Sequence, residues 1–381
     1  MTAPTASPKA SRCLVELAAG RPAGPLPDDA EGLVREAHRH GMHGLLASWV
    51  REHDPDWPGY DHLERSMLVT RQRHERLTGG LVAVRDRLAT IGVEVAAVKG
   101  VVAEARWYAA TGERPTSDVD VLVDPAAIGR AREIVATLEP DHPLLDSVGD
   151  LVASGVLGSV NVIFGDTPVD LHFDLYKTGI PSRSRYLVWE HTTPWSMPDG
   201  STVRAPDPAL ALVHFLVHVT KDCFWRLLGY ADVARVLRDP DLDPTAVDAL
   251  VAADGLGPVV GGALGRITTT LGVDPVVRIG ERGWRTRAWP HAWPESTALL
   301  GGAGTARSRR QDLLPFFQDG RGGEAWTHLW RIAFPPAATV AVQYPDIHGP
   351  VLVRLARGRW RTARARSRAL AARRAGSVDE R

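Results

Sequence analysis

Cysteine is nearly absent from this chain. Cys13 and Cys223 are the only two in 381 residues, which excludes a disulfide framework and a cysteine-built zinc site. That scarcity suits a reducing compartment, and a cytoplasmic protein is expected. No run approaches the ~18 uninterrupted apolar residues of a membrane span, so no transmembrane segment is expected either. The opening MTAPTASPKASR has no apolar stretch after its basic residues, which argues against a secretory signal. Net charge is missing too, with 45 basic side chains against 45 acidic ones. Lysine is scarce: four of the basic residues are Lys and the other 41 are Arg. Where Arg is the default cation, a Lys in a chemically suggestive place carries weight.

What remains is ordinary globular material, 44% hydrophobic and 24% charged. At ~150 residues per domain, the length predicts two or three domains with a substantial core. The zero net charge conceals an asymmetry. Residues 351–381 hold ten Arg against Asp379 and Glu380, a net of +8, so the preceding 350 residues carry −8. An acidic body argues against nucleic acid as the principal substrate. The basic tail reads first as a solvated helix end. Its charge also equips it to contact an anionic partner such as a membrane surface, an RNA or an acidic protein.

Residues 1–11 are small and polar and are expected to be disordered. From Cys13 to about Thr90 apolar residues recur at helical spacing, including Leu63, Met67, Thr70 and His74 in one long helix that Gly79-Gly80 is placed to interrupt. The period then changes. Val93 to Val98 is a short apolar run ended by Lys99-Gly100, which predicts a buried strand followed by a short helix over Val101–Ala110. Asp118 to Val123 alternates and is β-branched, hence a second strand. Asp124-Pro125 supplies an N-cap and N1 proline for a helix to about Leu138. Ser159–Phe164 and Val169–Leu175 read as a hairpin around Gly165-Asp166-Thr167-Pro168, with 176–205 loop-rich. Helices are predicted over 209–220, 227–238 and, weakened by glycine, 244–271. Six segments follow: a disordered 1–11, a helical 12–90, a sheet-bearing core over 91–205, a helical 206–300, an irregular 301–350 and the basic 351–381. The fold class is α+β, a small mixed sheet flanked by helical regions.

The chemistry centres on Asp118-Val119-Asp120. Side chains at i and i+2 of a strand share a face, about 6.6–6.8 Å apart along the chain. Two carboxylates so placed repel unless cations lie between them, and divalent ions about 3.5–4 Å apart serve phosphoryl and nucleotidyl transfer. Asp170, in the alternating strand Val169-Asp170-Leu171-His172, needs charge compensation, which a shared metal provides.

Together, AVKGVVAEARWY, RPTSDVDVLV and VDLHFDLY resemble the DNA polymerase β nucleotidyltransferase superfamily. The similarity is to the bacterial branch with motifs LKG, R-x-x-x-D-h-D-h-L-V and h-D-h-H. ALVHFLVHVTKDCFWRLLGYADVARVL is similar to that branch's helical segment, with His218 and Asp232 in matching places, and HGMHGLLASWV echoes its N-terminal region. The resemblance spans about residues 30–240. It implies that Asp118 and Asp120 ligate two Mg²⁺ ions (or Mn²⁺), that Asp170 is the third catalytic carboxylate, and that an NTP is the donor. It further implies that Gly100 lets the backbone approach the phosphates and that Lys99 and Arg114 contact them. His172 would bond substrate or a metal ligand. Lys-Gly replaces the superfamily's usual Gly-Ser or Gly-Gly. The implied activity moves a nucleoside monophosphate onto an acceptor that the motifs do not identify, whether small molecule, sugar, peptide or protein.

Plainer readings stand beside these. Asp118 can be a turn residue after Pro115-Thr116-Ser117, Lys99 a strand-end surface residue, Arg114 a loop ion-pair former and His172 a core histidine. His214 and His218, spaced i,i+4, lack a third ligand and read as packing residues. The tryptophans at 225, 284, 289, 293, 326 and 330 read as core and loop anchors. A catalytically silent nucleotide- or partner-binding module on the same fold is the alternative to an enzyme.

Overall fold

In the computed structural model the described residues are 8–364, apart from 198–199, 276, 278, 280–283, 294–310, 336, 338, 341–343, 345 and 362–363. Most of the basic tail and residues 1–7 of the leader expected to be disordered lie outside them. The chain begins with helices α1 (Pro8–Ala18), α2 (Ala30–His40), α3 (His43–His53) and α4 (Tyr60–Ala89). Strand β1 (Val95–Ala97), α5 (Val101–Trp107) and β2 (Val119–Val123) follow, then α6 (Ala131–Leu138), α7 (Val148–Ala153), β3 (Ser159–Phe164) and β4 (Thr167–His172). After α8 (Arg185–Glu190), β5 (Thr192–Ser196) and β6 (Thr202–Pro206), the chain is helical: α9 (Pro208–Lys221), α10 (Leu227–Val236), α11 (Pro244–Ala253) and α12 (Gly257–Leu271). The described part of the remainder includes α13 (Trp284–Ala292), a 3₁₀ turn at Gln311–Phe317, α14 (Gly322–Ala333) and helical residues 351–361. No helix among the described residues is long and apolar enough to cross a membrane.

The α+β expectation holds. The described strands form one mixed sheet in the order β3-β4-β2-β1-β6-β5. β2 is parallel to β4 and antiparallel to β1, while β1 is parallel to β6. Strand side chains alternate between faces, and here both faces are covered. Val119, Val121 and Val123 of β2, with Val169 and Leu171 of β4, pack with Leu77, Leu81, Val84 and Leu88 of α4 and Ile134 and Val135 of α6. Leu122 and Ala96 face the opposite core, built from Leu210, Val213 and Val217 of α9 and much of α1–α3. Asp120 shares the face of Leu122, so the chemistry lies on the α9 side of the sheet.

Several local expectations shift. α4 runs unbroken through Gly79-Gly80, where a side chain at Gly80 would collide with Thr167; the glycine serves close helix–strand approach instead of a break. The hairpin turn is the two residues Gly165-Asp166, Gly165 having φ +58°, so β4 begins at Thr167. β2 starts at Val119, one residue after Asp118. The supposedly loop-rich 176–205 contains β5 and most of β6. The region 244–271 is two helices, and the Asp124-Pro125 cap opens a 3₁₀ turn before α6. Trp289 and Trp293 are core residues, whereas Trp284, Trp326 and Trp330 are each more than half exposed.

Candidate active site

Parallel pairing sets the register Val119↔Val169, Asp120↔Asp170 and Leu122↔His172. Asp120 and Asp170 are therefore neighbours on one face, with His172 two residues beyond Asp170 on the same face. His172 Nε2 lies 3.0 Å from Asp120 Oδ1 and 3.3 Å from Asp170 Oδ2. Lys99, delivered by the end of β1, donates to Asp120 Oδ1 at 3.2 Å. Lys177 donates to Asp170 Oδ2 at 2.6 Å. Lys177 has φ +45°, a left-handed conformation costly outside glycine that the surrounding contacts must hold in place.

Burial alone would raise the Asp120 carboxyl, but Lys99 and His172 outweigh it and hold it well below the usual carboxylate range. Asp170 is likewise lowered against the effect of burial, by His172 and Lys177. Asp118 moves the other way: burial and then the Asp120 charge raise it. Its Oδ1 accepts from the Ser117 hydroxyl at 3.0 Å. Lys221, at the end of α9, is pushed down to about 8 by burial and the neighbouring Lys177 charge. Three of the chain's four lysines thus gather around the carboxylates. Only Lys99 stood out in the sequence; the rarity of lysine is the signal that could have found Lys177 and Lys221 as well.

Among the described residues, one group of three or more His, Cys, Asp or Glu side chains brings its ligand atoms within 4.8 Å, namely Asp120, Asp170 and His172. Asp118 stands outside it, as do His214 and His218. Asp120 Oδ2 and Asp170 Oδ1 are buried without a hydrogen-bond partner among the described residues. Unspent anionic oxygens in a buried place are expensive, and a bound cation is the chemistry that satisfies them. The donor set therefore fits a metal ion.

A cleft of about 150 Å³ opens beside this cluster. Lys99, Gly100, Arg114, Thr116, Asp118 and Asp120 form one wall. His218, Asp222, Trp225 and Arg226 form the other. The second wall turns sharply because Cys223 (φ 54°) and Phe224 (φ 59°) follow α9 in the left-handed region. His218 Nε2 lies 3.6 Å from Asp222 Oδ2. His214 is buried against His172, the rings 6.3 Å apart. Burial, then the charge of Lys99, pushes His218 well below its ordinary value.

Arg114 lines the cleft, but its guanidinium is spent on a buried bidentate pair. Nε and Nη2 donate to the two carboxylate oxygens of Asp232 at 2.8 Å each, and Tyr108 Oη donates to Asp232 Oδ1 at 2.6 Å. Glu104 accepts from the backbone N–H groups of Gly112 and Arg114 and pairs with His74. The loop carrying Pro115-Thr116-Ser117 into Asp118 is thereby clamped from α4, α5 and α10.

Gly100 joins the first wall with φ +51° and ψ −108°. A Cβ there would meet Thr116 Cγ2 at 2.8 Å and the Asp118 carbonyl oxygen at 3.5 Å. Gly100→Ala is expected to cost about 1–3 kcal/mol from the backbone conformation. Denaturant unfolding checks this, and an unchanged midpoint would show that the turn relaxes freely.

No curated protein and no solved structure matches the chain. Residues 27–272 match a family described as uncharacterised nucleotidyltransferase. That span takes in both walls of the cleft and all six strands of the sheet. The chain belongs to this uncharacterised nucleotidyltransferase family.

Proposed function

We propose that the cleft transfers a nucleoside monophosphate from an NTP, with a divalent ion, to a hydroxyl- or phosphate-bearing acceptor. The observation that carries this reading is the in-register Asp120–Asp170 pair, with a buried unspent oxygen on each carboxylate, beside an open cleft. Asp120 and Asp170 would hold the ion, with Asp118 adding a ligand from the cleft wall, and the core is taken as residues 91–205. Bound there, Mg²⁺ or Mn²⁺ supplies charge neutralisation at the α-phosphate and the departing pyrophosphate.

The chain's own groups do the rest. Lys99 and Lys177 are point charges on flexible stems, suited to turning from their carboxylates towards phosphate oxygens once a cation takes up the carboxylate charge. Gly100 removes the side chain where backbone and phosphate would meet. Asp118, Asp120 and Asp170 align the reacting centre while the acceptor oxygen attacks the α-phosphorus and the bond to pyrophosphate breaks, a hydroxyl acceptor releasing its proton to solvent. The wall of His218, Asp222, Trp225 and Arg226 faces the incoming acceptor. The cleft's volume is below the ~300–1,000 Å³ typical of ligand pockets. It suits the phosphates and the attacking end of the acceptor, leaving the base to the outer surface.

One observation favours a second reading, a silent binding module. Lys99 and Lys177 pair with Asp120 and Asp170, so the chain's own charges can compensate the two carboxylates. Calorimetry with ATP, CTP, GTP and UTP, each with Mg²⁺ and with Mn²⁺, separates the two when read beside pyrophosphate release and mass spectrometry of acceptors and of the protein. Transfer predicts metal-dependent binding of at least one nucleotide with release of pyrophosphate. Binding without release supports a silent nucleotide-binding module, and no binding with either metal rejects transfer and leaves only the partner-binding form of the module.

A further inference from the structure

The carboxylates of this site are joined by a nitrogen donor. We propose that His172 Nε2 is a metal ligand with Asp120 and Asp170, and that this mixed set selects a first-row transition ion over Mg²⁺. The inference deepens the metal-dependent reading above and rests on it.

Placement is the first argument. His172 is i+2 from Asp170 on β4 and stands opposite Leu122, two residues beyond Asp120 on β2. The pleat therefore gives all three side chains one direction, and their ligand atoms lie within 4.8 Å of one another. Here Nε2 is directed at one oxygen of each carboxylate.

The second argument is what remains unspent. Asp120 and His172 are each 3% exposed. The two lysines occupy Asp120 Oδ1 and Asp170 Oδ2, leaving Asp120 Oδ2 and Asp170 Oδ1 without partners among the described residues. Nε2 itself faces the two oxygens that the ammoniums hold, so a cation binding there takes the place of the ammoniums, and the two unpartnered oxygens remain for it as second points of attachment.

The third argument is ligand chemistry. Mg²⁺ favours all-oxygen octahedra and gives up its waters reluctantly, whereas imidazole nitrogen suits Fe²⁺, Ni²⁺, Cu²⁺ and Zn²⁺ best, with Mn²⁺ the weakest of the first-row series and so the most demanding test. Lys99 and Lys177 sharpen the discrimination. Both compete with any incoming cation for the same two carboxylates, and a weakly held ion loses that competition first. Asp118 stands outside this cluster, so the set of three forms without it.

The test is Mn²⁺ titration of the full chain without nucleotide, followed by electron paramagnetic resonance. One bound Mn²⁺ per chain is expected, with ¹⁴N coupling in pulsed spectra and retention against about a hundredfold excess of Mg²⁺. His172→Gln should abolish the coupling and weaken Mn²⁺ binding about tenfold or more, while Mg²⁺ binding changes by less than about twofold. No Mn²⁺ binding, no nitrogen coupling, or displacement by equimolar Mg²⁺ would each overturn the proposal. Should His172→Gln fail to fold, the wild-type coupling and Mg²⁺ competition decide alone. Pyrophosphate release with Mg²⁺ but no nitrogen coupling would retain transfer and reject this ligand set. Nitrogen-coupled Mn²⁺ with no nucleotide binding would do the reverse.

Discussion

Asp120→Asn is expected to reduce metal-dependent pyrophosphate release about a thousandfold or more while the protein still folds. Asparagine keeps the size of the side chain and one carbonyl oxygen to accept from Lys99 Nζ and His172 Nε2. It removes the negative charge that makes Asp120 a cation ligand. The loss falls on turnover because Asp120 sits at the centre of the cluster, against Lys99, His172 and, across the strand pair, Asp170. The side chains of Lys99 and Lys177 are each 20% exposed, so each ammonium can reach water when a carboxylate is neutralised. Pyrophosphate release and thermal melting, run side by side, separate chemistry from folding. Full metal-dependent turnover in Asp120→Asn would falsify the assignment of this site.

The largest effect on stability is expected at Asp232. Arg114 is 5% exposed and Asp232 5% exposed, and they meet through two hydrogen bonds of 2.8 Å. Breaking a buried pair by removing one partner leaves the other charge stranded, which costs about 3–5 kcal/mol. Asp232→Ala also strips the Tyr108 hydroxyl of its acceptor. A melting temperature lower by roughly 4–6 °C follows, since an unfolding entropy of about 2.1 cal/mol/K per residue makes each kcal/mol worth about 1.25 °C in a chain of 381 residues. Replacing both partners, as Arg114→Met with Asp232→Leu, should recover much of that loss, because no charge is then left buried. A fall of less than about 2 °C in Asp232→Ala would show that the pair contributes little. Because Arg114 directly precedes Pro115-Thr116-Ser117-Asp118, the single variant should also loosen the loop that aims Asp118.

Much of the site could be read from one dimension. Asp118-Val119-Asp120 and Val169-Asp170-Leu171-His172 announce themselves because charged residues interrupt β-branched, alternating runs, and burial makes such interruptions costly. Their mutual register could not be read, since parallel pairing across the intervening 48 residues is a property of the assembled sheet. β5 and β6 were hidden for a related reason. TTPWS and TVRAP are short, each contains proline, and β6 joins β1 through the single registered pair Ala96↔Arg204. Lys177 lies past the end of β4 in a left-handed conformation that no periodicity signals. Arg114 was expected to meet phosphate, and nothing local to RPTSD reveals that Asp232, more than a hundred residues later, holds its guanidinium.

The wide spacing of these parts bears on how the protein folds. Lys99 precedes β2, Asp170 and His172 come from β4, and the opposite wall comes from α9 and the turn beyond it, so the cleft draws on residues 99 to 232. Such non-local contacts close late, because the chain loses loop entropy before any of them is made. A nascent chain ending before α9 would carry the carboxylates but no second wall. A ligand that needs both walls therefore binds only the finished fold, and at a hundred times its Kd it would add about 2.7 kcal/mol of stability to that state alone. Occupancy of the cleft thus doubles as a report that folding is complete.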